Sequence, residues 1–444
     1  MYTILIRNAR LVNNGLISEK DIFIRNGFIE RIDGHISVVA DREIDATGHW
    51  VIPGIIDDQV HFREPGLTHK ASIYTEAKAA VAGGVTSFME MPNTSPPAVT
   101  QQLLQDKYDI GARHSLANYS FFMGTTNDNL DEVLRTDARN VCGIKVFMGS
   151  STGNMLVDDV HALEGLFAQT PMLIATHCED EATVKANAAA YRERYGDDIP
   201  PACHPEIRNV EACLKSSSLA VDLAKRHGTR LHILHISTAD ELALFSNELP
   251  LAQKRITAEV CVHHLYFNSG DYERLGFAIK CNPAIKSKEH QSALLPALLD
   301  NRLDIVATDH APHTWEEKQN KYFQAPSGLP LVQHSLNLML EFYREGKISL
   351  ERIVEKMCHA PAICFRIEKR GFIEEGFWAD LAIVDPEREW TVAKDNLYYK
   401  CGWSPLEGHV FKGKVTSTIV SGHLAYHEGE FFEEKKGERL VFDV

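Results

Sequence analysis

The chain has 444 residues, 44% hydrophobic and 24% charged, with 61 acidic against 46 basic side chains and a formal net charge of -15 at pH 7. That length suits one large α/β domain with an accessory unit, and the acidic excess argues against nucleic acid as a partner while leaving a local arginine free to bind an anion. Nine cysteines without a C-x-x-C pair offer no disulfide framework, the first residues carry no signal-peptide pattern, and no apolar run is long enough to span a membrane. A cytoplasmic protein without a membrane partner is the expectation.

Residues 1–50 read as short strands. Two apolar runs flank Asn26-Gly27, a strong hairpin signal, and no helical period is present. From residue 51 strands alternate with helices. The expected strands are 51–61, 85–91, 117–123, 143–148, 172–177, 230–236, 256–262 and 304–309. Helices are expected at 73–82, 206–226, 290–299, 331–345 and 350–357, the first stopped by Gly83-Gly84. Eight strand–helix repeats over about 300 residues have the alternation of a (β/α)₈ TIM-type barrel. A doubly wound open sheet is the rival, but no G-x-G-x-x-G follows the first strand. After about residue 371 the helices give way to strands again, at 378–384, 417–421 and 424–426. The reading is therefore 1–50 and 371–444 as two parts of one small β-sandwich domain, with 51–370 as the barrel.

Active sites in such barrels lie at the C-terminal ends of the strands. Strand one supplies Gln59, His61 and Arg63, which share a face if the strand stays extended. Strand two supplies Asn93, strand four Lys145, strand five His177 and strand six His235. Strand seven ends in His263 and His264, and strand eight in Asp309, His310 and His313. Any one of these histidines alone reads as structural. His61, His177, His235 and Asp309 falling together at four strand ends suit a divalent ion such as Zn²⁺. Lys145 lies in the apolar run Ile144-Lys145-Val146-Phe147, where a lone ammonium is costly. It is either ion-paired or converted by CO₂ to an anionic carbamate able to bridge two ions. Asp309 is either a ligand, a base or a turn residue; Arg63 offers bidentate carboxylate recognition, against a plain salt bridge to Glu64 or Glu90. Cys178 as a nucleophile ranks low, because no oxyanion motif accompanies it.

The motifs His61-Phe62-Arg63-Glu64-Pro65-Gly66, Met91-Pro92-Asn93-Thr94, Thr176-His177-Cys178-Glu179-Asp180, Lys280-Cys281-Asn282-Pro283 and Ala307-Thr308-Asp309-His310-Ala311-Pro312-His313 resemble those of the amidohydrolase superfamily and, within it, the dihydroorotase family. The resemblance runs from about residue 50 to 365. It implies zinc, two ions as the family pattern, held by His61, a carboxylated Lys145, His177, His235 and Asp309. It implies contacts to a small-molecule carboxylate substrate from Arg63, Asn93 and His313, and a ring contact from Asn282. Asp309 would be the acid and base in the reversible hydrolysis of dihydroorotate to N-carbamoyl-aspartate, a step of pyrimidine synthesis. One departure stands out: the family has His-x-His on strand one, and here the first position is Gln59, a weaker zinc ligand than imidazole, so the second ion is the one in question. Asp158 or Asp159 keeps open an aspartate bridge in place of Lys145. Rival readings are another cyclic-amide hydrolase, an allantoinase or hydantoinase, and a catalytically silent scaffold. A homodimer is compatible with all of them.

Overall fold

The computed structural model describes residues 2–149 and 154–444. Eight parallel strands form the barrel: β1 (Ile55–Val60), β2 (Val85–Glu90), β3 (Asn118–Phe121, continued at Met123–Gly124), β4 (Ile144–Phe147), β5 (Ile174–His177), β6 (Leu231–Ile233), β7 (Ile256–Cys261) and β8 (Ile305–Ala307). Strands β1 to β3 pair in sequence, and so do the Met123–Gly124 continuation and β4 to β8. The ring closes between its first and last members, where Val60 bridges His310 in parallel and His61 N–H donates to His310 O at 2.7 Å. Every residue of β1 and β2 is buried, which is why both read as apolar runs without alternation.

Helices cover the barrel, and the sequence marks their ends. Ser72 and Thr75 form a reciprocal capping box before the helix Ile73–Ala82. The long helix runs Val210–His227, between Asn209, whose side chain accepts from Ala212 N–H, and Gly228 in the left-handed conformation. The expected start at 206 is too early: it takes in part of His204–Ile207, a separate turn of helix that Arg208 breaks with φ -102° and ψ 69°. Among the described residues, three helices of ten residues or more escaped the reading, Gln101–His114, Val160–Gln169 and Glu181–Tyr195, along with several shorter ones. The last of these buries only Val184, so it presents almost no apolar stripe to detect.

The expected first strand at 51–61 is two strands. Trp50–Pro53 belongs to a nine-stranded sheet built from both chain ends, and Gly54 is the joint to β1. In that sheet Trp50–Pro53 runs antiparallel to the start of Leu381–Thr391, with Pro53 opposite Leu381 and Val384 opposite Trp50. On its other side it runs parallel to Thr3–Asn13. A separate apolar core, including Ile4, Ile6, Ile22, Ile24, Leu381, Ile383 and Ile419, lies under this sheet. Each such side chain contributes about 2 kcal/mol of burial. The small β domain is thus clamped directly to the strand that delivers Gln59 and His61.

Candidate active site

A cavity of about 310 Å³ opens at the C-terminal end of the barrel. Its walls include all ten residues singled out from the sequence: Gln59, His61, Arg63, Asn93, Lys145, His177, His235, Asn282, Asp309 and His313. Three of them, Arg63, His235 and Asp309, have positive φ angles of 69°, 43° and 46°. A non-glycine residue in this region costs roughly 1–3 kcal/mol, so the strand ends hold strain where they turn side chains into the cavity. No residue-type signal in the sequence announces this.

Three imidazoles and a carboxylate are arranged in two pairs, His61 with Asp309 and His177 with His235. His61 donates from Nδ1 to Asn93 Oδ1 at 2.8 Å, which leaves its Nε2 lone pair 3.1 Å from Asp309 Oδ1. His177 Nε2 lies 2.9 Å from the buried carboxylate of Glu179 and donates to it; His177 Nδ1 then faces His235 Nε2 at 2.9 Å. Burial lowers the pKa of His61 and His177, and that of His235 falls well below its ordinary value, through burial and then the neighbouring His177. Neutral rings with opposed lone pairs are what a cation satisfies, so the donor set fits divalent metal at both pairs. Lys145 lies between them, and its charge weighs on His61, His177 and His235 alike. Burial pushes the Lys145 amine down to about 7; its Nζ sits 4.5 Å from the centre of the Phe147 ring, and no carboxylate pairs with it among the described residues.

Two expectations change here. Gln59 turns its amide nitrogen to Asp309 Oδ1 at 3.2 Å, while its oxygen is 3.7 Å from Cys261 Sγ. Toward the His61–Asp309 pair it therefore presents a hydrogen-bond donor. Asp158 and Asp159 are exposed; Asp158 accepts from Asn127 and Asp159 caps the helix Val160–Gln169. Neither lines the cavity, so an aspartate bridge has no candidate there. Asn93 serves first as the acceptor that fixes His61.

Sequence reasoning named Glu179 only as a neighbour of His177. Burial alone would raise its pKa, but the Arg208 guanidinium, then His177, outweigh burial and hold it at about 2. It is a permanent anion that orients His177. Nothing in residue type distinguishes it from Asp180 beside it, which caps the next helix.

Arg63 is buried and touches no carboxylate among the described residues. Glu64 instead accepts from Ile73 N–H, and Glu90 pairs with Lys107 at 2.8 Å. Arg63 donates from Nε to Pro312 O at 3.0 Å, and its Nη2 is 3.0 Å from His313 Nε2. His313 Nε2 is also 3.0 Å from Ser327 O, and Nδ1 is 2.9 Å from Lys70 Nζ. A neutral ring protonated at Nε2 satisfies Ser327 and Lys70 together, and leaves Arg63 without an acceptor from His313. Burial lowers Arg63 to about 10, still charged at neutral pH. The Asn282 Oδ1 atom is buried with no hydrogen-bond partner.

A closed parallel barrel that gathers neutral imidazoles, a lysine and a carboxylate at its C-terminal mouth is the architecture of a metal-assisted hydrolase. The chain belongs to the amidohydrolase family, which it matches over residues 50–425. It is 35% identical over 428 residues to a dihydroorotase from Pyrococcus furiosus, covering 94% of this chain and 92% of that protein. It is 33% identical over 436 residues to a dihydroorotase from Listeria innocua, covering 96% and 99%. Among solved structures, L-hydantoinase (dihydropyrimidinase) from Arthrobacter aurescens superposes with a TM-score of 0.94 at 28% identity, each chain covered completely. A dihydropyrimidinase from Brevibacillus agri shares the fold at 23% identity, with a TM-score of 0.89 and both chains covered completely.

Proposed function

We propose that the protein is a dihydroorotase, interconverting dihydroorotate and N-carbamoyl-aspartate. The observation that carries this reading is Arg63: a buried guanidinium on the cavity wall that touches no carboxylate among the described residues. Such a charge is costly unless an anion arrives to meet it, and a substrate carboxylate meets it bidentately. A neutral hydantoin ring offers Arg63 carbonyl oxygens but no carboxylate for a bidentate pair. The names of the curated relatives support the same reading.

In the hydrolytic direction water adds across the cyclic amide. Its oxygen bonds to the ring carbonyl carbon, the carbon–nitrogen bond breaks, and the ring nitrogen gains a proton. His177 with His235, and His61 with Asp309, would hold zinc, which when bound would supply Lewis acidity to the carbonyl and lower the pKa of water. Lys145, its amine lowered by burial to about 7, is the group that would take up CO₂ and, as a carbamate, offer oxygens to metal at both pairs. Asp309 moves the proton. Gln59 donates to its Oδ1, so Oδ2 is the oxygen that collects the proton from water and returns it to the ring nitrogen. Arg63 binds the substrate carboxylate, and Asn282 Oδ1 accepts from a ring N–H.

Side-by-side assays of the purified protein with dihydroorotate, hydantoin and allantoin test the reading. Turnover of dihydroorotate well above the other two is expected. Preference for hydantoin would overturn it, and metal analysis of the same sample tests zinc.

A further inference from the structure

Beside the two pairs lies a third set of donors that the mechanism does not use. Cys261 ends β7, and His263 and His264 follow it on the next turn of chain. One donor atom from each of the three lies within 4.8 Å of the others, and all three residues are buried. By strict hydrogen-bond geometry neither ring nitrogen of His263 has a partner, nor does Nδ1 of His264; the Thr308 backbone makes only a looser contact with the His263 ring. The other nitrogen of His264 is occupied: Nε2 donates to Pro283 O at 3.0 Å. Buried polar atoms in a native protein are paired, with few exceptions, and three orphaned imidazole nitrogens on two adjacent residues ask for a partner. Gln59 adds a fourth donor, its Oε1 standing 3.7 Å from Cys261 Sγ.

We propose that Cys261, His263, His264 and the Gln59 carbonyl form a site for a borderline-soft divalent ion such as Zn²⁺. A thiolate, two imidazoles and an amide oxygen are a four-donor set of the tetrahedral type, and the sulfur–oxygen spacing is close to what such a centre requires. The local field favours a cation. Glu259, Asp309, Asp57 and Asp58 all bear on Cys261, and together with burial they keep its thiol protonated while no cation is present. An ion arriving there releases the thiol proton and meets the same acidic field. The site also gives Gln59 a role: its nitrogen serves Asp309 on one side and its oxygen the β7 cluster on the other. The neighbouring donor group of Asp58, His232 and Glu259 is unlike it, because His232 already pairs with both carboxylates, at 3.3 and 3.1 Å.

The reading is independent of which cyclic amide is hydrolysed, and its test does not use activity. The whole protein, stripped by chelator and reloaded with Co²⁺, is expected to show a near-ultraviolet thiolate-to-cobalt charge-transfer band. That band is expected to vanish in Cys261→Ser and persist in Cys178→Ser, which controls for the cysteine beside His177. Zinc content is expected to fall by about one equivalent in Cys261→Ser and in His263→Gln. No thiolate band in the reloaded wild type would overturn the proposal, whatever the variants do. So would a band lost in Cys178→Ser instead, or equal zinc content in wild type and both variants.

Discussion

Gln59 donates from Nε2 to Asp309 Oδ1 at 3.2 Å, and so presents a hydrogen where an imidazole would present a lone pair. This contact puts the amide of Gln59, a weak metal ligand on the sequence reading, in the place of a donor to the Asp309 carboxylate. Restoring imidazole with Gln59→His is expected to tighten metal binding at the His61–Asp309 pair, because imidazole suits zinc better than an amide does. Competition against a chelator reads this directly. Equal affinity in the variant and the wild type would mean that the pair's metal is set by other ligands.

Arg63 is the second test. Arg63→Ala removes the one cavity guanidinium whose described partners are a carbonyl and a neutral ring. Loss of a buried charge-assisted contact is worth about 2–5 kcal/mol, so KM for dihydroorotate is expected to rise about thirtyfold or more. Arg63→Lys is expected to recover little, since an ammonium cannot match a carboxylate bidentately. An unchanged KM in Arg63→Ala would remove this residue from substrate recognition.

Glu179 is the third. It accepts from His177 Nε2 at 2.9 Å and is itself paired with Arg208. Glu179→Gln keeps the shape and removes the charge, so metal affinity is expected to drop about 10- to 100-fold, the usual cost of losing a carboxylate behind a ligating histidine. Metal titration of the variant checks it; undiminished affinity would make Glu179 a purely structural partner of Arg208.

Lys145 carries a pH dependence whose sign can be worked out. Burial lowers its amine from 10.5 to about 7 in the folded chain. Between those values the unfolded chain binds the proton and the folded chain does not, so stability of the metal-free protein rises with pH across that window. At and below pH 7 the buried amine costs about 4 kcal/mol. Lys145→Met is therefore expected to raise the Tm of the metal-free protein at pH 7, with the gain shrinking towards pH 10.5, while turnover is lost. Thermal melts across that range are the measurement; a variant less stable than wild type at pH 7 would show that the amine has a favourable partner.

How far the sequence reaches is visible in particular residues. The barrel was legible because buried parallel strands are continuous apolar runs, and because His61, His177, His235 and Asp309 fall where those runs stop. The join at Gly54 was not, since Val51-Ile52 and Ile55-Ile56 look like one strand although they serve two sheets. Ligand types could be listed from the sequence, but orientation could not. Which end of Gln59 faces Asp309, which nitrogen of His61 Asn93 engages, and that Asp158 and Asp159 face solvent all depend on packing between residues far apart in the chain. The left-handed backbone at Arg63, His235 and Asp309 leaves no trace either, because none of the three is a residue that prefers it strongly enough to signal it.

Two buried lysines off the metal pairs close the site. Lys318 Nζ reaches three carbonyls, Lys280 O at 3.1 Å, Pro326 O at 2.8 Å and Gly328 O at 2.9 Å. Lys280 Nζ reaches Tyr322 O and Ala325 O at 2.5 and 2.6 Å. Between them they pin the segment that carries Phe323, Ala325, Pro326, Ser327 and Gly328 onto the cavity wall. Burial, and then the charge of Lys280, push Lys318 well below the ordinary lysine value. Three acceptors around one nitrogen nonetheless call for the ammonium, since a neutral amine has only two hydrogens to give. Lys318→Met would strand those carbonyls, at about 1–3 kcal/mol for each one left unpaired. It would also loosen Ser327, whose carbonyl holds His313 at 3.0 Å. The expected result is a lower Tm together with a raised KM, and kcat falling less than KM rises, because the segment shapes the substrate pocket and touches none of the metal-facing imidazoles. A fall in kcat at constant KM would place the effect of Lys318 on Asp309 instead, through the chain that links residues 309 and 313 to the same wall.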